Sequence, residues 1–224
     1  ISGIASIPEM EDISMTTNGS LLYRMADELH SAGLMRVNIS MPTLNEENYR
    51  MITGGGELKQ LKKSIEKAVQ IFNPVKLNFV MTSENYEEFP LVLEYANRVG
   101  AILQVIELVS TDSCSFYFKK NFYSLKDLED KLRNSAKKIV SRKLQARNIY
   151  YLENGIVEVV RSMHNTVFCA NCHRLRLTHD GKLKPCLLRN DNLVDVLTPL
   201  RNRDIEGVRQ AFITAIRNRE PFFR

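Results

Sequence analysis

The first half of the chain alternates short apolar segments with longer amphipathic ones, and this alternation constrains the fold more than any other feature. Four segments have the length and apolar content of β-strands, and the segments between them have apolar residues at helical spacing. The predicted strands are residues 11–16, 34–40, 75–81 and 101–109, and the predicted helices are residues 21–33, 57–72 and 89–100. Repeated strand–helix–strand units imply parallel strands with right-handed crossovers. We therefore predict an α/β fold for this half.

Polar residues lie at the carboxyl end of each predicted strand, which is the edge where parallel α/β folds place their active sites. They are residues 16–19 (Thr-Thr-Asn-Gly), Ser40, Thr82 and Glu107. Any one of them alone is better explained as a turn residue or a helix cap. Together they favour a binding site. Four parallel strands cannot close a barrel, so they form an open sheet or part of a larger structure.

The second half of the chain has a less regular pattern. A helix is predicted in residues 124–136, and two short strands in residues 147–153 and 156–162 are joined through Asn154-Gly155, a hairpin signal. A last helix is predicted in residues 204–219. Its apolar face consists of Ile205, Val208, Phe212 and Ile216.

The length of 224 residues is enough for one large domain or two small ones. The change of pattern places a boundary between residues 110 and 137, and we expect domains of residues 1–123 and 124–224. No apolar run approaches a membrane span, and residues 1–20 lack a signal peptide pattern. We therefore expect a cytoplasmic protein without a membrane partner. In that reducing compartment, clustered cysteines favour a metal over a disulfide.

Positive charge is concentrated in residues 161–189, whereas the rest of the chain is near neutral. The cations of this basic segment are Arg161, Arg174, Arg176, Lys182, Lys184 and Arg189, against the single acid Asp180. Such a segment suits a compact anion, such as a nucleotide phosphate, or a nucleic acid backbone. A solvated surface explains the charge equally well.

Three of the four cysteines, Cys169, Cys172 and Cys186, lie in the same segment with the spacing Cys-x2-Cys-x13-Cys. A Cys-x2-Cys turn brings two thiolates to one metal, and a later cysteine supplies a third ligand. The spacing leaves three alternatives open. One is a zinc site with a fourth ligand from a nearby histidine, and another is an iron–sulfur cluster with one open iron. The third is a set of three unrelated buried thiols.

Residues 168–187 read FCANCHRLRLTHDGKLKPCL, and this segment resembles the C-terminal cluster motif of the MoaA family. The members are radical S-adenosylmethionine enzymes that cyclise GTP in the first step of molybdenum cofactor synthesis. Four segments of the first half match barrel landmarks of that family: TTNG (16–19), NIS (38–40), VKLN (75–78) and VIEL (105–108). The resemblance covers nearly the whole chain. It implies a partial TIM-type barrel with parallel strands, followed by a small α+β domain that carries an iron–sulfur cluster motif.

The resemblance also implies roles for individual residues. Cys169, Cys172 and Cys186 would hold a [4Fe–4S] cluster whose open iron meets the guanine of GTP. The residues that would contact GTP are Thr16, Lys76, Arg174, Leu175 and Arg176. The positions that would contact S-adenosylmethionine are Ser40 and Val109. GTP and S-adenosylmethionine are thus the implied partners, no nucleic acid is expected, and no side chain is assigned a catalytic role.

Lys76 has an argument of its own, because it interrupts an apolar strand. It lies on the face opposite to Val75 and Leu77, and a charge there needs a partner. An anionic ligand inside the barrel would be one. The alternative is a lysine that protects an edge strand against aggregation.

The chain departs from the family pattern at several positions. Gln104 stands where many members have an arginine, which weakens one expected phosphate contact. Val109 stands where a methionine often touches S-adenosylmethionine, and His173 replaces a common asparagine. The chain has no cysteine before Cys114, whereas the family holds its radical-generating cluster with Cys-x3-Cys-x2-Cys near the N-terminus. Cys114 is interpreted as an ordinary thiol.

We therefore expect an N-terminally truncated chain, inactive alone, whose full-length protein binds S-adenosylmethionine and a second [4Fe–4S] cluster. Missing strands would leave the strand of residues 11–16 at an edge with Ile13 and Met15 exposed on one face or the other, which predicts a homodimer or aggregation. The function implied is that of a GTP 3′,8-cyclase. The alternatives are another radical S-adenosylmethionine enzyme with an auxiliary cluster and a zinc-bearing module that binds nucleic acid. The basic segment contains Phe168 as its one aromatic residue, which disfavours base stacking.

Overall fold

A computed structural model of the chain describes residues 1–110 and 115–223. Cys114 lies outside these described residues. They divide into two compact units. The first unit comprises residues 1–110, 115–141 and 148–161, and the second comprises residues 142–147 and 162–223. No helix of the described residues is long and apolar enough to cross a membrane.

The first unit contains the alternating elements of the first half and a strand hairpin from the second half. Its strands are Ser14–Thr17 (β1), Arg36–Ser40 (β2), Val75–Met81 (β3), Ile102–Glu107 (β4), Lys138–Ser141 (β5), Asn148–Leu152 (β6) and Gly155–Val160 (β7). Its helices are Ser2–Ala5 (α1), Leu22–Ser31 (α2), Glu46–Thr53 (α3), Leu58–Ile71 (α4), Phe89–Val99 (α5), Ser115–Asn121 (α6) and Lys126–Ser135 (α7).

All of these strands belong to one sheet of the described residues, in the order β1-β2-β3-β4-β7-β6-β5. Strands β1 to β4 run parallel to their neighbours, and β7 pairs with β4 in parallel. Strand β6 pairs with β7, and β5 with β6, in antiparallel orientation. The predicted α/β fold with parallel strands is therefore confirmed. The predicted hairpin through Asn154-Gly155 is also confirmed, since Leu152 pairs with Gly155. That this hairpin extends the first sheet was not predicted.

The sheet has one apolar face because side chains alternate along each strand. The buried side chains of this face include Val37, Ile39, Leu77, Phe79, Leu103, Val105, Val157 and Val159. Apolar side chains of α4 and α5, such as Leu61, Ile65, Val92 and Ala96, belong to the same core. The helical spacing in residues 57–72 and 89–100 is thus the pattern of helices that cover a sheet.

Helix boundaries follow from capping. The helix α5 ends at Gly100, whose φ of +79° lies in the left-handed region that favours glycine. The helix α3 begins at Asn45, whose side chain accepts a hydrogen bond from the backbone N–H of Asn48 at 2.9 Å. The predicted helix stop at Gly100 is therefore confirmed.

β1 lies at one edge of the sheet, as expected. Ile13 and Met15, however, are half-buried and pack against the core. The expectation that they are exposed is therefore wrong, because both side chains pack against the apolar core of the first unit. The homodimer stays a prediction.

The second unit is built from short elements. They are Thr166–Ala170 (α8), Arg176–Leu177 (β8), Lys182–Lys184 (β9), Val194–Asp195 (β10), Leu197–Arg201 (α9) and Ile205–Arg217 (α10). The three strands form an antiparallel ribbon in the order β10-β9-β8.

The apolar face predicted for α10 is correct only at Val208, which packs against the small core of the second unit, whereas Phe212 is 43% exposed. Ile205 and Ile216 are 84% and 62% exposed, whereas Ala211 and Ala215 are buried together with Leu183 of β9. The side of α10 that packs against the ribbon therefore consists of Val208, Ala211 and Ala215. The helix itself is confirmed.

We expect Phe79→Ala to lower the free energy of unfolding by about 3 to 5 kcal/mol, because Phe79 is fully buried in the apolar face. Its neighbour Val80 points to the other face and is partly exposed. Val80→Ala is the matched control and should cost less than about 1 kcal/mol. Urea unfolding followed by far-UV circular dichroism measures both values. Equal losses would contradict the assignment of the two faces.

Candidate functional site

The three cysteines of the motif lie in the second unit on a short helix and beside the strand ribbon. The side chain of Asn165 accepts a hydrogen bond from the N–H of Phe168 at 3.0 Å and so begins α8, which carries Cys169. The N–H of Cys172 donates to the carbonyl of Cys169 at 3.2 Å, which closes a tight turn. Cys186 follows β9. All three are half-buried free thiols.

The structure does not bring these thiols into one ligand group. Within residues 1–110 and 115–223, no three side chains of His, Cys, Asp or Glu are grouped closely enough to hold a metal ion. This holds for the histidines that could complete a zinc site as well as for the cysteines. The ligand role of Cys169, Cys172 and Cys186 therefore stays a prediction from their spacing and donor type.

Gln145 is a contact of the cysteine motif that the sequence did not predict. Its Nε2 donates to Sγ of Cys172 at 3.5 Å, and its backbone N–H donates to the carbonyl of Asn171 at 2.7 Å. Gln145 is buried and has a φ of +63°, which is uncommon for a residue with a side chain. It lies 27 residues before Cys172, so the spacing of the cysteine motif does not indicate this contact.

The surroundings of Cys172 favour its thiolate. Burial opposes ionisation, but the N–H of Arg174, the amide of Gln145 and the charges of Arg219 and Arg176 outweigh it. The pKa of Cys172 is therefore lowered from its ordinary value. A thiol stabilised as thiolate is the form that binds a metal.

Arg176 interacts electrostatically with Cys172 and Cys186 and has an unsatisfied donor. Burial and the charge of Arg174 lower its pKa, while Cys172 and Cys186 act in the opposite direction. Its Nη1 is buried and has no hydrogen-bond partner in the described part of the chain. An unpaired buried donor is costly, so this guanidinium is suited to an external acceptor. Arg174 is exposed.

Other cations of the basic segment already have acidic partners. Lys182 pairs with Asp180 at 2.9 Å, and Arg189 pairs with Asp191 at 2.6 Å and with Glu220 at 2.8 Å. Arg161 pairs with Glu129 at 2.7 Å. Within the described residues, neither Arg174 nor Arg176 forms an ion pair. Lys184 also has no ion pair among the described residues, but its Nζ donates to Oδ1 of Asn190.

The backbone at Leu175 is fixed because its side chain packs in the small core of the second unit. That core consists of Leu183, Val196, Ala211 and Ala215, with Leu175 at its margin. Packing of Leu175 between Arg174 and Arg176 fixes the stretch of chain that carries both guanidinium groups.

In the first unit, Lys76 has a protein partner. β3 lies between β2 and β4, so the edge-strand explanation of this lysine is wrong. Its Nζ forms an ion pair with Oε2 of Glu158 on β7, and Nε2 of Gln104 donates to the same oxygen at 3.0 Å. Lys76 is 4% exposed, Gln104 7% and Glu158 0%. Sequence analysis missed Glu158, because its strand was not expected in this sheet.

Strand register places Thr16 and Ser40 on the same face of the sheet as Lys76. Thr16 pairs with Asn38, and Asn38 pairs with Lys76. In the next row of the sheet, Ser40 pairs with Asn78, Asn78 pairs with Gln104, and Gln104 pairs with Glu158. The register thus brings Thr16, Ser40 and Lys76 together on the face opposite to the apolar core, while Val109 follows β4 in an irregular segment.

Two polar residues at the strand ends have hydrogen bonds within the first unit. An oxygen of Glu107 accepts a hydrogen bond from the N–H of Leu125 at 3.4 Å, at the start of α7. The backbone N–H and the hydroxyl of Thr82 donate to the side chain of Asn85 at 2.8 and 3.2 Å. The structure supports the turn explanation for Thr82, whereas Glu107 is buried and its contact with Leu125 joins residues 18 positions apart.

We expect Gly181→Ala to loosen the turn between β8 and β9. Gly181 has a φ of +77°, and an added Cβ would lie 2.4 Å from Cβ of Leu197. Its carbonyl accepts hydrogen bonds from the N–H groups of Val196 and Leu197. Amide exchange at these two residues should become about tenfold faster or more.

The matched control is Gly100→Ala, since Gly100 has a similar φ of +79° and no atom within 4 Å of an added Cβ. It should leave exchange at Val196 and Leu197 unchanged. Unchanged exchange in Gly181→Ala, measured by NMR, would contradict the close contact with Leu197.

Comparison with known proteins identifies the family models and the relatives that this chain matches. The family model described as Molybdenum Cofactor Synthesis C matches residues 101–224, and the Radical SAM superfamily model matches residues 2–96. A protein of Methanococcus vannielii named "Probable GTP 3',8-cyclase" is 46% identical over 216 residues, which is 96% of this chain and 71% of the relative. A Pyrococcus abyssi protein of the same name is 49% identical over 225 residues, covering 96% of this chain and 73% of the relative.

Proposed function

Because this chain belongs to the GTP 3′,8-cyclase family of radical S-adenosylmethionine enzymes, we infer that it functions in the radical cyclisation of GTP in molybdenum cofactor biosynthesis. Both family models and relatives more than 40% identical along most of the chain support this function. The reaction is of the lyase type. The large sheet rich in parallel strands is consistent with the TIM-like barrel of radical S-adenosylmethionine enzymes.

We propose that Cys169, Cys172 and Cys186 hold a [4Fe–4S] cluster in an α+β domain. Support comes from the donor set, which consists of three free thiols, and from the interactions that stabilise the thiolate of Cys172. Three thiolates on a cubane cluster leave one iron open, and that iron would supply a coordination site for the guanine base. Gln145 is positioned to donate to the Cys172 sulfur, an interaction that tunes a thiolate ligand.

One observation carries the assignment of GTP to this chain. The guanidinium of Arg176 lies beside the motif thiols, has no ion pair within the described residues, and has a buried Nη1 without a hydrogen-bond partner. Planar guanidinium donors suit phosphate oxygens, because two N–H groups can engage two oxygens at once. We propose that Arg176 and Arg174 bind the triphosphate, with the backbone of Leu175 between them.

The sheet of the first unit supplies further proposed contacts. Thr16 is exposed on the polar face, so its hydroxyl is available to GTP, and Lys76 lies on the same face. Ser40 on that face and Val109 after β4 are the proposed contacts of S-adenosylmethionine. The protein's contribution is to hold and orient the ligands, while the cofactors supply the radical chemistry.

We expect Cys169→Ser, Cys172→Ser and Cys186→Ser each to abolish cluster binding. Iron and sulfide analysis of the anaerobically reconstituted protein should give about four irons per chain for the parent and almost none for each variant. Cys114→Ser is the control and should retain the iron. Colourless protein that contains zinc would support the nucleic-acid module instead, and loss of iron in the control would show that the ligand set is wrong.

We expect Arg174→Ala and Arg176→Ala to weaken GTP binding about tenfold or more, because each removes a charge-assisted hydrogen bond to phosphate. The iron content should be unchanged, and guanosine should bind almost as before. Equilibrium dialysis with both ligands measures this. A different radical enzyme would not bind GTP selectively.

Arg189→Ala is the matched control, since Arg189 belongs to the same basic segment but is already paired with Asp191 and Glu220. It should leave GTP affinity within about twofold of the parent. Equal losses of GTP and guanosine in Arg176→Ala would contradict the phosphate role.

A further inference from the structure

The loop of residues 142–147 brings a buried amide to the cysteine motif. Gln145 is 4% exposed although its side chain is polar, and its Nε2 donates to Sγ of Cys172 at 3.5 Å. Its backbone N–H donates to the carbonyl of Asn171 at 2.7 Å. Both hydrogen bonds lie within the second unit. Gln145 therefore holds this part of the motif at two adjacent residues.

The backbone of the same loop adopts a conformation that residues with side chains disfavour. Gln145 has a φ of +63° and a ψ of +14°, and Ala146 follows with a φ of +49°. Two consecutive residues other than glycine thus lie in the left-handed region. Such a conformation costs free energy and persists only where the surrounding contacts determine it. The contacts that determine it at Gln145 include those with Asn171 and Cys172.

The side chain of Gln145 also leaves one of its own polar atoms unsatisfied. Its Oε1 is buried and has no hydrogen-bond partner in the described part of the chain. An unpaired buried acceptor is costly, whereas an apolar side chain of similar size would carry no such cost. Stability alone therefore does not account for an amide at this position. The donor that reaches the Cys172 sulfur does account for it.

A donor to a cluster-bound sulfur favours the reduced state of an iron–sulfur cluster. An N–H group stabilises negative charge on the sulfur, and this charge is largest after the cluster has taken up an electron. Hydrogen bonds to the sulfurs are accordingly among the features that set the reduction potential of such clusters. Removal of the donor should therefore make reduction more difficult.

We propose that Gln145 is a positioning residue that donates to the Cys172 sulfur and so raises the reduction potential of the proposed cluster. The inference rests on the proposed ligand role of Cys172, and it assigns a redox role to a residue outside the cysteine motif. In a reductive titration the cluster gains one electron from dithionite. No covalent bond of Gln145 forms or breaks, and its amide hydrogens stay on Nε2.

The experiment uses Gln145→Met, which removes the donor and retains an unbranched side chain of similar size. The anaerobically reconstituted parent and variant are titrated with dithionite and redox mediators, and electron paramagnetic resonance measures the reduced cluster. At the midpoint potential of the parent, the ratio of reduced to oxidised cluster should be about threefold to tenfold lower in the variant. A tenfold change corresponds to about 59 mV for one electron. An unchanged midpoint in a variant that retains its iron would overturn the inference.

Gln145→Asn is a second variant that suits the backbone of the loop, because asparagine is enriched in the left-handed region. It keeps the amide but shortens the side chain by one methylene group, which withdraws the donor from the sulfur. Its midpoint potential should also fall. If both variants lose the iron, Gln145 only holds Cys172 in place, and the redox role is overturned.

Val196→Ala is the control for a merely structural effect. Val196 is 6% exposed in the small core of the second unit, and its side chain has no donor. The substitution should lower the melting temperature and leave the midpoint potential of the cluster unchanged. A similar fall in the midpoint would show that loosening of the second unit, and not loss of the donor, changes the potential, and would overturn the inference.

Failure of this inference is distinguishable from failure of the proposed function. If Cys172→Ser retains the iron, the proposed ligand set fails and this inference fails with it. If the cluster forms but the parent does not bind GTP, the proposed function fails, and the midpoint potentials still decide the role of Gln145. If the parent binds GTP and Gln145→Met leaves the midpoint unchanged, only the present inference fails.

Discussion

Burial of one face of a parallel sheet is the constraint on which the first unit depends. Val37, Leu77, Val105 and Val157, from four neighbouring strands, are fully buried beneath α4 and α5. Because side chains alternate, this burial also fixes the residues of the opposite face. The polar residues of that opposite face therefore follow from the apolar core. They are Thr16, Ser40, Lys76, Gln104 and Glu158.

The second unit depends more on short-range interactions than the first unit does. Its core contains few residues, two of them alanines, and its strands are two or three residues long. The Asn165 cap, the turn at Gly181 and the contact of Gln145 with Cys172 supplement this core. A unit with so little apolar burial gains stability from a bound metal cluster when the ligand residues hold one.

Charge is arranged differently in the two units. On the sheet face, Lys76 is paired with the buried carboxylate of Glu158. In the second unit, Arg174 and Arg176 have no acidic partner among the described residues, while Arg189 does. Cations without partners attract phosphate, and compensated ones provide hydrogen bonds without net charge.

The sequence by itself determined the order of parallel strands and helices, because the periods of two and of 3.6 residues are properties of local chain geometry. It also predicted the hairpin at Asn154-Gly155 and the helix stop at Gly100, where turn chemistry is local. Tertiary structure decided which groups meet. Glu158 lies 82 residues from Lys76, and their contact depends on the strand order and register between them. The buried face of α10 likewise depended on tertiary packing, since the helix carries apolar residues on more than one side and only contact with the rest of the second unit selects Val208, Ala211 and Ala215.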